Sequence, residues 1–267
     1  MQPTLSDQEF SQFRHLIHDI AGISLSEAKK PLVSGRLAKR LKHHGVARYA
    51  DYFRLICERD NAAELQIAVD LLTTNETYFF REPKHFDFLR EHIAPEQAGR
   101  APLRVWCGAS SSGEEPYTIA MTLAEALGAK PWEVLASDLS TRVLAAARRG
   151  QYPMSRAESI PPEYLRKYCL KGVGRHEGTF LIDRVLRERV RFEQINLVKP
   201  LPRLGEFDVI FLRNVMIYFD APTKREVVAR MLPMLKPGGY FIVSHSESLN
   251  GITEALRLVS PSIYRKP

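Results

Sequence analysis

The sequence predicts an α/β protein: an open, mostly parallel sheet with helices between its strands, preceded by a small all-α domain and carrying a small β-rich insertion. Three observations predict it. From Leu103 onward, short apolar runs alternate with helix-periodic segments, the order of βαβ units. The first such run, Leu103–Cys107, ends abruptly in Gly108, Ala109, three serines and Gly113, and a helix-like stretch follows at residues 117–127. That is strand, tight turn and helix N-terminus, the place where open α/β sheets bind nucleotide-like ligands. The first 72 residues, by contrast, carry the helical period alone.

Taken in order, Ser6-Asp7-Gln8-Glu9 is a capping box, Phe10, Phe13, Ile17 and Ile20 follow at helical spacing, and Gly22 stops the helix. A second helix runs over residues 30–44 with Val33, Leu37 and Leu41 on one side, ended by Gly45. Tyr49, Tyr52, Phe53 and Ile56 mark a third; Leu65, Val69 and Leu72 mark a fourth. The second carries Lys29, Lys30, Arg36, Lys39, Arg40, Lys42, His43 and His44 with no acid after Glu27. Such a run is either a solvated face or a docking surface for something acidic. No aromatics are interleaved in it, which argues against single-stranded nucleic acid. The stretch TTNETYFFREP then bridges onward as a linker or as a lid over a neighbouring ligand site, and Pro83 restarts a helix at 84–93.

The strands follow: Leu103–Cys107, 133–137 (EVLAS) closing on Asp138, 190–195, 207–212 (FDVIFL), and 240–244 (YFIVS) after the turn Pro237-Gly238-Gly239. A helix at Thr141–Arg149 follows the second, and a pair at 256–259 and Ile263–Arg265 forms an antiparallel edge. Residues 155–189, with Pro161-Pro162 and three glycines, break the alternation and read as an inserted β-rich subdomain serving a partner or substrate. The expected organisation is therefore an all-α domain at 1–72, a linker and lead-in helix at 73–102, and the ligand-binding α/β domain at 103–267.

Composition bounds the function classes. With 45% hydrophobic and 26% charged residues, the chain is an ordinary globular sequence without a run of membrane-span length. Its first ten residues do not read as a signal peptide. Cys57, Cys107 and Cys169 form neither a metal pattern nor a disulfide framework, which suggests a reducing cytoplasm. The net charge of +7 implies attraction to something acidic.

Charge at the small-residue turn selects the ligand. Glu114 and Glu115 stand where a dinucleotide's pyrophosphate would sit, without Lys or Arg nearby in sequence. The turn lacks both the Lys-Ser/Thr of a P-loop and the third glycine of the dinucleotide fingerprint. A nucleoside bearing positive charge suits it, and S-adenosylmethionine, with its sulfonium and ammonium, is such a ligand. The alternative for either glutamate is to complement the helix dipole. Asp138, ending the second strand, suits ribose hydroxyls or an N-cap; Asn196 follows the third strand, with an amide suited to an adenine edge; Arg213 and Asn214 follow the fourth.

Together TTNETYFFRE, ASSSGEEPYTIA, ASDLS, Gln194-Ile195-Asn196-Leu197, FLRNVMIYFD and LKPGGYFIVSHSESL resemble the CheR family, S-adenosylmethionine-dependent methyltransferases that esterify glutamates of bacterial chemotaxis receptors. The resemblance implies a Rossmann-like class I methyltransferase domain with a β-subdomain insertion behind an all-α domain. It also implies S-adenosylhomocysteine as product. Cofactor contacts then fall on Asn75, Thr77, Arg81, Glu115, Asp138, Asn196, Leu197, Arg213 and Asn214, with Arg81 and Tyr218 near the reacting methyl group. Partners implied are the cytoplasmic domains of methyl-accepting receptors, docked through the helix around Arg36, Lys39 and Arg40, and a receptor C-terminal tail at the β-subdomain. Thr118 replaces a more usual serine.

What the sequence lacks agrees with that chemistry. A glutamate carboxylate is ionised at neutral pH, so methyl transfer to it needs no general base. No Ser-His-Asp set, metal cluster or cysteine nucleophile is evident. The rival is a nucleic-acid methyltransferase, suggested by the basic charge. It would favour Asn/Asp-Pro-Pro-Tyr/Phe after the fourth strand, where this chain has Arg-Asn-Val-Met-Ile-Tyr. A non-catalytic binding module would dispense with the carboxylates that are present at Glu115 and Asp138.

Overall fold

The computed structural model describes residues 4–97 and 102–267. The parts of the expected domain boundaries that fall on 1–3 and 98–101 lie outside the described residues. By contacts the chain divides into two units: the chain up to Thr74 together with Tyr218–Lys224, and Asn75–Ile217 together with Arg225–Pro267.

In the first unit, Ser6 caps α1 (Asp7–Ala21) through the reciprocal bonds with Glu9, and Gly22 ends it in the left-handed conformation. Helices α2 (Lys30–His43), α3 (Tyr49–Cys57) and α4 (Ala62–Leu72) follow. Their apolar stripes meet in one core of Phe10, Phe13, Ile17, Val33, Leu37, Leu41, Tyr52, Ile56 and Val69, all buried. Burying such side chains contributes about 1.5–3 kcal/mol each, more than helix propensity supplies.

The structure corrects the reading of α2. Arg40 is not free for docking: its Nε donates to Glu64 Oε1 at 2.8 Å, and its Nη2 pairs with the other carboxylate oxygen. Tyr52 Oη (2.6 Å) and His44 Nε2 (3.0 Å) complete the shell around that buried carboxylate. Arg36 donates to the carbonyls of Leu72 and Thr73 at 3.3 and 2.9 Å, closing the C-terminus of α4. No acid follows in the local sequence, but α4 delivers one from 24 residues downstream. Lys39, Lys42 and His43 are exposed.

In the second unit, α5 (Lys84–Phe88) widens into a π-turn over Leu89–Ile93, with the Ala94 N–H reaching back to Leu89 O, before α6 (Ala94–Gln97). The expected single α-helix over 84–93 is thus a longer, irregular one. Pro95 has no N–H to continue the α ladder. Next come β1 (Leu103–Cys107), α7 (Glu114–Leu127), β2 (Trp132–Asp138) and α8 (Thr141–Arg149). Then follow β3 (Gln151–Pro153), α9 (Pro162–Tyr168), β4 (Cys169–Lys171), β5 (Thr179–Ile182), α10 (Arg184–Arg187), β6 (Val190–Gln194) and β7 (Phe207–Phe211). The chain closes with α11 (Ala221–Met231), β8 (Leu235–Ile242), β9 (Arg257–Ser260) and β10 (Ile263–Arg265).

Among the described residues the main sheet has seven strands in the order β6-β2-β1-β7-β8-β10-β9. The first five are parallel; β10 pairs antiparallel with both β8 and β9, the expected edge. Val105 sits beside Val134 on one flank and Val209 on the other. Ile119, Ala120 and Leu123 of α7 join these valines in the core. The strand expected to begin at 240 begins at Leu235 and runs through Pro237–Gly239 with a register irregularity against β7. The insertion begins at β3, before residue 155, and holds 3-10 and α-helical turns beside its three-stranded sheet, β3-β5-β4. Chain order reverses between β1 and β7, and ligands of open α/β sheets bind at the carboxyl ends of the strands at such a reversal.

Candidate active site

The turn after β1 is shaped by packing. Gly113 has φ +101°, and a Cβ there would meet Tyr152 Oη at 2.7 Å and Ala147 Cβ at 2.9 Å. A Cβ on Gly108 would meet Met231 Cε at 3.1 Å and Leu212 Cδ1 at 3.2 Å. Packing of the protein's own side chains thus requires glycine at 113, and at 108 a side chain would have to displace Met231 or Leu212. The helix starts at Glu114, three residues earlier than its apolar pattern. Glu114 is buried, accepts from Ser112 Oγ at 2.6 Å, and lies 3.7 Å from Arg156; burial raises its pKa.

Glu115 lies at the centre of a buried network. Its Oε2 takes Arg213 Nη1 at 2.6 Å and its Oε1 takes Cys107 Sγ at 3.2 Å. Burial raises the Glu115 pKa, and the Arg213 charge opposes that rise. Arg213 also donates to Arg81 O at 2.5 Å and sits 3.2 Å from Glu82 Oε2, its side chain wholly enclosed. Its side chain is thus engaged within the protein. The guanidinium ties residues 81 and 82 to the start of α7 from its place just after β7. Cation and carboxylates offset one another's desolvation here; removing one partner would leave an uncompensated buried charge.

Asp138 is nearly buried at the end of β2. Its Oδ2 accepts the Ser111 N–H at 2.8 Å and its Oδ1 the Ser140 N–H at 2.9 Å, so one carboxylate joins two turns. The N-cap of α8 is Ser140. After β6, Asn196 Oδ1 accepts the Val198 N–H at 3.1 Å, half-exposed, and Leu197 is nearly buried. After β7, Asn214 has φ +57°. The structure thus brings Glu115, Asp138, Asn196, Leu197, Arg213 and Asn214 to the carboxyl ends of four adjacent strands, β6, β2, β1 and β7.

Segment 75–83, expected as a linker or a lid, is pinned at Asn75, Thr77 and Phe80. Asn75 O accepts Ser111 Oγ at 2.7 Å, Thr77 O accepts Arg156 Nη1 at 2.7 Å, and the Phe80 N–H donates to Thr118 Oγ1 at 3.1 Å. Thr118 also donates to Glu114 O at 2.7 Å, so threonine serves where a serine was the expected residue. Arg81 is half-buried, donating to Glu76 O at 3.2 Å and lying over the Tyr78 ring. Tyr218 belongs to the first unit, its carbonyl accepting the Ser24 N–H at 2.8 Å.

Sequence reasoning missed Glu247. Its carboxylate collects the N–H groups of Asn214 (2.9 Å), Ile217 (3.2 Å) and Ser244 (3.0 Å) and the Ser244 hydroxyl (2.8 Å). It holds the loop after β7 to the end of β8. The signal was present: an acid just past the fifth strand, on the rim where the other strand-end carboxylate lies.

A rim of this composition suits a nucleoside carrying positive charge, and the comparisons with known proteins agree. Residues 8–73 match the family described as CheR methyltransferase, all-alpha domain, and residues 75–264 match CheR methyltransferase, SAM binding domain. The chain belongs to the CheR methyltransferase family, Rossmann-like class I enzymes that use S-adenosylmethionine. The chemotaxis protein methyltransferase of Salmonella typhimurium is 41% identical over 263 residues, 97% of this chain and 90% of that protein. Chemotaxis protein methyltransferase 2 of Pseudomonas aeruginosa is 41% identical over 260 residues, 96% and 92% of the two chains. The expected fold class, enzyme class and methyl donor are borne out, and the nucleic-acid alternative finds no support. Among the described residues no helix is long and apolar enough to cross a membrane.

Proposed function

We propose that the chain methylates the γ-carboxylates of specific glutamates on the cytoplasmic domains of chemotaxis receptors, leaving glutamyl methyl esters and S-adenosylhomocysteine. The observation that carries the reading is the pair of family domains matched over residues 8–73 and 75–264, with the buried carboxylates Glu114 and Glu115 at the β1–α7 turn where a phosphate site would carry bare N–H groups. S-adenosylmethionine supplies an electrophilic methyl group on a sulfonium. Asp138 is assigned the ribose hydroxyls, and Asn196 and Leu197 the adenine. Asn75, Thr77, Asn214 and the Arg213 main chain complete the pocket, with Glu115 providing negative potential. Arg81 orients the acceptor carboxylate, and Tyr218 hydrogen-bonds it or lines the path of the methyl group. The acceptor is already ionised, so the residues' task is alignment and exclusion of water, which favours a step that neutralises charge.

Receptor docking is assigned to the exposed Lys39, Lys42 and His43 of α2, with Arg36 and Arg40 acting as supports. The receptor tail is assigned to β4, which pairs with β5 on one side only and exposes Leu170; an extended peptide adds to such an edge. The setting of this chemistry is the cytoplasm. Tritiated S-adenosylmethionine incubated with receptor-containing membranes should label the receptors, and mild base should release the label as methanol. Label that survives base would place the methyl group elsewhere than on a carboxylate.

A further inference from the structure

We propose that Glu82, His85 and His245 form a binding site for a late first-row divalent cation, with zinc as the reference ion. One donor atom from each lies within 4.8 Å of the others. His85 Nδ1 is 3.4 Å from a Glu82 carboxylate oxygen. Tetrahedral ligation at about 2.0–2.1 Å puts neighbouring ligand atoms roughly 3.3–3.4 Å apart.

Ser262 sets the histidine tautomers. Its hydroxyl donates to Pro261 O at 2.6 Å, which uses its one proton. Its oxygen is then an acceptor for both His85 Nε2 at 2.9 Å and His245 Nδ1 at 3.0 Å. Each ring thus carries its proton towards Ser262, leaving His85 Nδ1 and His245 Nε2 with bare lone pairs. An oriented second nitrogen of this kind accompanies metal-bound histidine. His85 is wholly buried, and its Nδ1 has no hydrogen-bond partner.

Arg213, 3.2 Å from Glu82, opposes a cation, yet Glu115 also faces that guanidinium. The three groups together carry one net negative charge. A cavity of about 310 Å³ lined by Glu82, Lys84, His85, Phe88 and His245 leaves room for the water that would complete the coordination. Two nitrogens and a carboxylate oxygen suit zinc, cobalt or nickel over magnesium or calcium. A bound ion would clamp the segment that carries Arg81 to the loops after β8 and β9.

The test is titration of the full chain with Zn²⁺ against a chromophoric chelator, with Co²⁺ as the spectroscopic probe. One equivalent should bind, and Co²⁺ should give intense tetrahedral d–d bands without a thiolate charge-transfer band, which separates this site from Cys57. His245→Ala, at an exposed position, should weaken binding at least tenfold. Ser262→Gly, which removes the hydroxyl without opposing the local φ of +59°, should cost about 10–100-fold. His43→Ala, outside the cluster, should change nothing. No stoichiometric binding, a thiolate signature, or unchanged affinity in His245→Ala overturns the proposal.

Discussion

At the residue scale, side chains nominated for one task serve two. Asp138, proposed to hold the ribose, also bridges the turns after β1 and β2 through Ser111 and Ser140. Asp138→Ala should therefore weaken S-adenosylmethionine binding by about 10–100-fold, the scale of a lost charge-assisted bond pair, and lower the melting temperature as well. Calorimetry with S-adenosylhomocysteine separates the two effects, and unchanged affinity would remove Asp138 from the cofactor site. Tyr218→Phe should instead reduce kcat by about tenfold or more while leaving cofactor affinity within a factor of two, because one hydroxyl is removed and the ring is kept. Equal losses in both would make it a binding residue.

At the element scale, α2 is a structural helix first. Burial raises the Glu64 pKa, but bonds from Arg40, Tyr52 and His44 outweigh it and hold the carboxyl at about 2. A carboxyl depressed on folding contributes stability above its unfolded pKa near 4.5 and loses that contribution as pH falls towards 2. Glu64→Gln should cost about 3 kcal/mol at neutral pH, with the gap from wild type closing across that window in urea melts at stepped pH. Reversing Arg40 would break this network and report on folding. Lys39→Glu with Lys42→Glu leaves the network intact and should slow receptor methylation about tenfold, with donor affinity unchanged. An unaltered methylation rate would move the docking surface elsewhere.

At the scale of the whole molecule, the +7 charge should make receptor methylation fall with salt between about 50 and 300 mM, mainly through kcat/KM. Donor binding, which does not depend on receptor encounter, should vary little over that range.

Much of this architecture was legible in the chain. The capping box at Ser6, the period of α1 to α4, the runs of β1, β2 and β7, and the carboxylates beside them are local patterns, and local geometry follows from them. Element edges were less legible. Strand β8 starts five residues early because sheet pairing with β7 carries it through a proline-glycine turn, and the π-turn before α6 reflects a proline felt one turn back. The site's strand-end residues were readable because the carboxyl ends of parallel strands share one rim. Arg40–Glu64, Arg213 with Glu82 and Glu115, the four-donor shell of Glu247 and the His85–Ser262–His245 cluster were not. Most of their partners lie 24 to 177 residues away, and no local pattern records such a distance. The sequence by itself determined the order of elements and the chemical character of the rim, because these rest on periodicity and on residue type at strand ends, while the reaction came through the resemblance its motifs carry. Tertiary structure alone decided which charges are already paired and which polar atoms are left unsatisfied, because burial and partnership arise only when distant segments pack.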